Sequence, residues 1–240
     1  MKYLVAGEKR TGTTLLCAIL AKAGAEFGFP HDREWFRGSG DYEHPIMIEN
    51  YKYLKRARLA KFVSDTMAAR LQRKIQSNMK ELLAEVDYIK YPPLSHSLPI
   101  HMKLAGHEVR LVITIRKFNT FAMSAVAKNG ECFKELKEAY IDTYKTNLLN
   151  LYLYGGCAVL YEDIVDREKT DWAVRVSQIT GVSADKLLQA RDTLMNPTVS
   201  RNAINEATID RECDELYATF AQLSERVFEA DLNKQHTVKL

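Results

Sequence analysis

Proline and glycine are scarce, with 6 and 11 residues in a chain of 240, and neither recurs at a fixed interval. Collagen-like, mucin-like and low-complexity architectures are thereby excluded. The four cysteines, Cys17, Cys132, Cys157 and Cys213, show no CxxC pair and no histidine at ligand spacing. That excludes a zinc site and a disulfide framework, and leaves reduced core thiols in a cytosolic protein. No segment approaches the roughly 18 apolar residues of a membrane span. The opening apolar run is too short for a secretory signal, so the expected location is the cytoplasm. A strong charge excess is missing too: 34 Lys+Arg against 31 Asp+Glu give +3. A counterion-driven nucleic-acid partner is therefore not expected, and an anionic ligand would have to be bound locally.

What is present is the composition of an ordinary globular protein, 46% apolar and 27% charged, long enough to bury a substantial core. Short apolar runs alternate with helical periodicity. Tyr3–Ala6, Val86–Tyr91, Val109–Ile115 and Cys157–Tyr161 read as strands. Between them Leu15, Leu16, Ile19 and Leu20, then Met67, Leu71, Ile75, Met79 and Leu82, then Phe133, Leu136, Tyr140, Tyr144, Leu148 and Leu151 repeat every three or four residues. Strands separated by helices predict an α/β fold, a central parallel sheet of four to five strands flanked by helices. The last third reads as all helix, with Ser183 capping one segment and Cys213, Leu216, Phe220, Leu223 and Val227 forming the stripe of another. One domain over 1–240 is expected, its sheet and ligand-binding core in 1–165 and a helical part in 166–240. Residues 26–45, rich in glycine and proline, read as a long surface loop at the mouth of any site.

The strongest chemical signal is Gly7-Glu8-Lys9-Arg10-Thr11-Gly12-Thr13-Thr14, between the first strand and the first helix. Its glycines have the spacing of a nucleotide P-loop, and the helix N-terminus behind them favours an anion. The lysine that would follow Gly12 in that motif is Thr13, and no strand ends in an obvious Walker B aspartate. Triphosphate hydrolysis with magnesium is thus poorly supported. The third strand ends in Ile115-Arg116, with Ser124 eight residues on inside a helix that begins near Asn119. A guanidinium there suits bidentate phosphate contact, and a hydroxyl adds a neutral donor.

Arg10-Thr11-Gly12-Thr13-Thr14 resembles the 5′-phosphosulfate loop of the sulfotransferase family, and Arg116 with Ser124 resembles its 3′-phosphate site. The family has Asp-Pro or Asn-Pro after that arginine, where this chain has Lys117-Phe118. Weaker resemblances are Lys90 with Pro92, similar to a Lys-x-Pro segment, and Tyr161-Glu162-Asp163, similar to a Tyr-Glu-Asp stretch. The resemblance runs from residue 3 to about 165. It implies a P-loop-like α/β sheet and transfer of a sulfuryl group from 3′-phosphoadenosine 5′-phosphosulfate (PAPS) to a hydroxyl or amine, without a metal. It further implies donor binding by Lys9, Arg10, Thr11, Gly12, Thr13, Thr14, Arg116 and Ser124, with Arg10 neutralising the leaving phosphate. The acceptor class expected is a small molecule or a carbohydrate.

The general base is not fixed by these motifs. The family branch that uses histidine places it two residues after the second-strand lysine, where this chain has Pro92. Gly40-Asp41-Tyr42-Glu43-His44 resembles a Gly-aromatic-Glu stretch of bacterial members, which points to Glu43, with His31 and His44 as alternatives and Glu34 in the same loop. His96, His101 and His107 lack ligand spacing and read as helix-surface residues. Two rival functions stay open: a nucleotide or small-molecule kinase, and a noncatalytic module using the basic strip Lys52, Lys55, Arg56, Arg58, Lys61, Arg70, Arg73 and Lys74 against an acidic partner.

Overall fold

A computed structural model describes residues 1–28, 42–62, 64–92, 97–195 and 210–230. The sheet is built from β1 (Lys2–Ala6), β2 (Tyr88–Lys90), β3 (Val109–Ile115), β4 (Gly156–Leu160) and β5 (Val227–Phe228). Their spatial order is β2-β1-β3-β4-β5. The first four run parallel, whereas β5 pairs antiparallel with β4 through Gly156–Phe228 and Cys157–Val227. The parallel strands fall on the expected runs: β3 matches at both ends, β1 differs by one residue at one end and β4 by one at each, and β2 keeps only Tyr88–Lys90 of Val86–Tyr91. Val227 departs from expectation: it lies in an edge strand, because the last helix ends at Leu223 and the chain then turns back to the sheet.

Side chains alternate between the two faces, as strand geometry requires. Leu4, Leu111, Ile113 and Ile115 join one core with Met79, Phe121, Tyr140, Tyr144 and Phe220. Val5, Val112, Cys157 and Val159 join the other with Leu16, Ile19, Trp172 and Val176. The first face is covered by α2 (Pro45–Ala60), α3 (Asp65–Glu85), α4 (Leu98–Leu104), α5 (Phe118–Asn129), α6 (Phe133–Tyr154) and α10 (Arg211–Leu223). Residues of α1 (Thr13–Lys22), α7 (Tyr161–Val165), α8 (Asp171–Thr180) and α9 (Ala184–Leu194) line the second. Among the described residues no helix is long and apolar enough to cross a membrane.

Three expectations need correction. Met67 opens the apolar stripe of α3 but is 55% exposed, because the first turn of that helix projects beyond the core. Cys132 is exposed, at the turn before α6, while Cys17, Cys157 and Cys213 are buried free thiols. His101 is half-buried on α4 with Nδ1 shielded and unpartnered, and His107 lies in the turn after that helix.

In this order the chain leaves β1 for β2 on one side and reaches β3 on the other. Ligands of open α/β sheets bind at such a switch point, outside the carboxyl ends of the strands. The segments after β1, β2, β3 and β4 all emerge there.

Candidate active site

The loop after β1 is shaped by backbone conformation. Gly7 and Gly12 have φ of 143° and 97°, and a Cβ on either would strike a neighbour: 2.5 Å from the Thr114 carbonyl oxygen for Gly7, 2.6 Å from the Tyr161 ring for Gly12. Arg10 also lies in the left-handed region, at φ 69°. That turn brings its side chain across to α5.

Thr11 is buried and serves the loop itself. Its hydroxyl donates to the Glu8 carbonyl at 2.6 Å and lies 3.4 Å from the Thr114 hydroxyl. Lys9 is exposed, with its backbone N–H donating to Glu8 Oε1 at 2.9 Å. The other Glu8 carboxylate oxygen accepts from Thr143 at 2.7 Å, and the Tyr144 hydroxyl donates to the Thr114 carbonyl at 2.8 Å. Thus α6 braces the loop from below. Burial pushes the Tyr144 phenol well above its usual range, so it stays a neutral donor.

Gly12 is the N-cap of α1 and has no side chain with which to cap it. The first-turn amides of Thr13 and Thr14 are therefore available to an anion, with the helix dipole in its favour. Thr13 is buried at this first turn. Thr14 is half-buried, and its hydroxyl accepts from Lys90 Nζ at 3.2 Å.

The cations converge on this end. Arg10 donates to Ser124 Oγ from Nε at 3.3 Å and from Nη2 at 3.1 Å. Arg116 donates from Nε to Thr120 at 2.9 Å and from Nη1 to the Arg10 carbonyl at 3.5 Å. Its guanidinium lies 4.4 Å from the centre of the Tyr161 ring, a cation–π contact. The turn after Arg116 is built without the family's proline: the Lys117 amide donates to Glu162 Oε1 at 3.1 Å, and Tyr140 donates to the Arg116 carbonyl at 2.8 Å.

Glu43 reaches the same end. Its Oε1 lies 2.7 Å from Nζ of Lys90, whose side chain is only 2% exposed. One ammonium therefore links Glu43 to Thr14 of the phosphate loop. His44 is turned to another task, its Nδ1 accepting the Ile46 amide at 3.2 Å as the N-cap of α2. Burial holds its pKa below the usual histidine value. His31, Glu34 and His96 lie outside the described residues.

The structure thus brings together Arg10, Gly12, Thr13, Thr14, Arg116, Ser124 and Glu43, turns Thr11 inward, and leaves Lys9 at the solvent. Glu8 and Tyr161 lie within quoted motifs that gave them no role, and Thr120, Thr143 and Tyr144 are additions that no short motif signals: Thr143 and Tyr144 act on partners distant in sequence, and Thr120 holds Arg116 one helical turn away. Among the described residues no group of three His, Cys, Asp or Glu side chains is arranged to hold a metal.

No protein-family model matches the chain, and no curated protein matches it by sequence. Solved structures do. The sulfotransferase domain from the Synechococcus PCC 7002 olefin synthase superposes with a TM-score of 0.54 at 14% identity, over 92% of this chain and 94% of that one. The sulfotransferase domain from the curacin biosynthetic pathway gives 0.50 at 12% identity, over 95% and 98%. Across nearly its whole length, this chain has the fold of a sulfotransferase domain.

Proposed function

We propose that this protein is a PAPS-dependent sulfotransferase acting on a hydroxyl or amine of a small molecule or carbohydrate. The observation that carries the reading is the meeting of Arg10 with Ser124 beside the uncapped N-terminus of α1. Two anion-binding elements from different strands then serve one ligand with two separated phosphates. The fold likeness to sulfotransferase domains supports the same reading.

The donor supplies a sulfuryl group: the acceptor oxygen or nitrogen bonds to sulfur, the bond from sulfur to the 5′-phosphate oxygen breaks, and adenosine 3′,5′-bisphosphate leaves. The loop is suited to hold the 5′ side through the amides of Thr13 and Thr14. Arg10 neutralises negative charge that grows on the leaving phosphate. Arg116 and Ser124 hold the 3′-phosphate, the guanidinium as a planar fork and the hydroxyl as a single donor. Glu43 accepts the acceptor's proton, while Lys90 fixes the carboxylate's position next to Thr14. The dense hydrogen bonding of Glu8, Thr143 and Tyr144 keeps the loop formed before the ligand arrives.

Thermal unfolding of the purified protein tests this. Adenosine 3′,5′-bisphosphate should raise Tm, by the equivalent of roughly 2.7 kcal/mol at 100 times its Kd, and Mg-ATP should not. A shift with Mg-ATP alone would transfer the site to the kinase reading.

A further inference from the structure

Charge is distributed very unevenly along this chain. Eight of its 34 basic residues fall between residues 51 and 74, with only Asp65 of its 31 acidic ones. That stretch carries a formal +7 and the remainder −4. It comprises most of α2, the turn after it and the first half of α3, two helices packed together, with Ala57, Ala60, Ala68 and Ile75 buried. Lys52, Lys55, Arg56, Lys61, Arg70, Arg73 and Lys74 are all exposed.

Large apolar side chains are exposed in the turn and in the helix ends on either side of it. Leu59 is 70% exposed, Phe62 89% and Met67 55%. Single exposed apolar residues are ordinary, but three large ones within nine residues, one in a turn and one on the adjoining end of each helix, are not. Lys52, Lys55 and Leu59 follow one another at steps of three or four on α2, with Arg56 beside them, as do Met67, Arg70 and Lys74 on α3. Two cationic stripes thus lead to one apolar tip.

We infer that this hairpin docks on an anionic phospholipid surface, with Phe62, Leu59 and Met67 entering the boundary of headgroups and acyl chains and the flanking lysines and arginines against the lipid phosphates. The shape selects this occupant. A projecting apolar turn needs a deformable apolar medium, where a folded acidic partner would need a pocket matched to Phe62. Single-stranded nucleic acid would call for exposed aromatic rings spaced among the cations; the rings that lie among them, Tyr51 and Tyr53, are partly buried against the core, and the strongly exposed ring is Phe62. Clustered cations beside an apolar anchor give the two signals that stable membrane attachment requires. The inference does not depend on the sulfuryl-transfer reading, since the hairpin tip lies a helix length, about 24 Å at 1.5 Å per residue, from Glu43.

The test is co-sedimentation of the full chain with phosphatidylcholine vesicles, with and without phosphatidylglycerol. The protein should partition at least tenfold better onto the anionic vesicles. Each surface cation is worth roughly a fivefold gain, so the combined Arg70→Glu, Arg73→Glu and Lys74→Glu variant should lose at least ~100-fold. Raising the salt from about 0.1 to 1 M, which shortens the screening length from about 10 to 3 Å, should release most of the wild type. Phe62→Ser should weaken binding several-fold at either salt, and Phe62→Trp should show a blue-shifted emission only with anionic vesicles. All these side chains are exposed, and circular dichroism verifies that each variant is folded. Equal binding to neutral vesicles overturns the inference. So does binding that ignores Phe62 and leaves the added tryptophan unshifted, or equally tight binding to soluble polyglutamate, since either would mark a generic polyanion contact.

Discussion

Arg10 and Ser124, 114 residues apart in sequence, meet through two hydrogen bonds to a single hydroxyl oxygen. The contact joins the loop after β1 to the helix after β3, so the two halves of the candidate donor site are already in register. It also gives Arg10 a defined direction despite its exposure. Arg10→Ala should abolish sulfuryl transfer with an unchanged circular dichroism spectrum. Ser124→Ala should weaken adenosine 3′,5′-bisphosphate by about tenfold, in keeping with a hydrogen bond to a charged group. Near-normal turnover of Arg10→Ala would remove the assignment.

Arg116 has a double attachment, to the Arg10 carbonyl and to the face of Tyr161. If its main task is the 3′-phosphate, Arg116→Ala weakens the bisphosphate far more than adenosine 5′-monophosphate, which lacks that group. Calorimetric titration of both nucleotides measures the difference. Equal losses would mean that Arg116 only props the loop.

The two loop glycines should respond differently to alanine. Both positions have positive φ, which strains any other residue by about 1–3 kcal/mol. At Gly12 the added Cβ meets a side chain, the Tyr161 ring, whereas at Gly7 it meets the Thr114 backbone oxygen. Tyr161→Ala should therefore recover part of the stability lost in Gly12→Ala. No single side-chain truncation should rescue Gly7→Ala. Chemical denaturation of the double variant decides it, and absence of any rescue contradicts the packing described.

Acid should destabilise the protein through its histidines. Burial is the leading cause of a lowered pKa at His44, His101 and His107. These rings stay neutral in the folded chain at a pH where the unfolded chain, titrating near 6.5, takes up protons. The unfolded state then binds more protons, so stability present above about pH 6.5 is lost as the pH falls through the folded values. For a chain of this size each 1 kcal/mol lost lowers Tm by about 2–4 °C. His101 has its buried Nδ1 without a partner, so His101→Leu should flatten the pH dependence. A Tm profile of that variant parallel to the wild type would be inconsistent with this origin.

Local patterns carried much of the fold, and distance in sequence explains what they missed. The run Val109–Ile115 is β-branched, apolar and bounded by charge, and β3 has those limits. β5 is two residues long and depends on pairing with Gly156 and Cys157, which no local pattern encodes. The phosphate loop is legible because turn chemistry and helix capping are local. Its brace is not: Thr143 and Tyr144 read as ordinary members of a helical stripe, and only the fold brings them to Glu8 and Thr114. Lys90 is visible as a strand-end lysine, but its pairing with Glu43 spans 47 residues.

That pairing bears on the choice of base. Of the three candidates weighed from sequence, Glu43 sits at the carboxyl end of the sheet, held 2.7 Å from Lys90, which in turn bonds Thr14. His44 has one ring nitrogen committed to capping α2. Glu43→Gln keeps the size of the side chain and removes its basicity, so kcat should fall by roughly 10²–10⁴ while adenosine 3′,5′-bisphosphate still binds. The same change removes the negative charge beside the buried Lys90 ammonium, so a lower Tm is expected alongside. Glu43→Asp separates the two effects: it keeps the charge, should restore most of the Tm, and should recover kcat only in part because the carboxylate is drawn back. If Glu43→Gln turns over normally once folded, and His44→Ala or His31→Ala does not, the proton goes to a histidine and Glu43 serves only to hold Lys90.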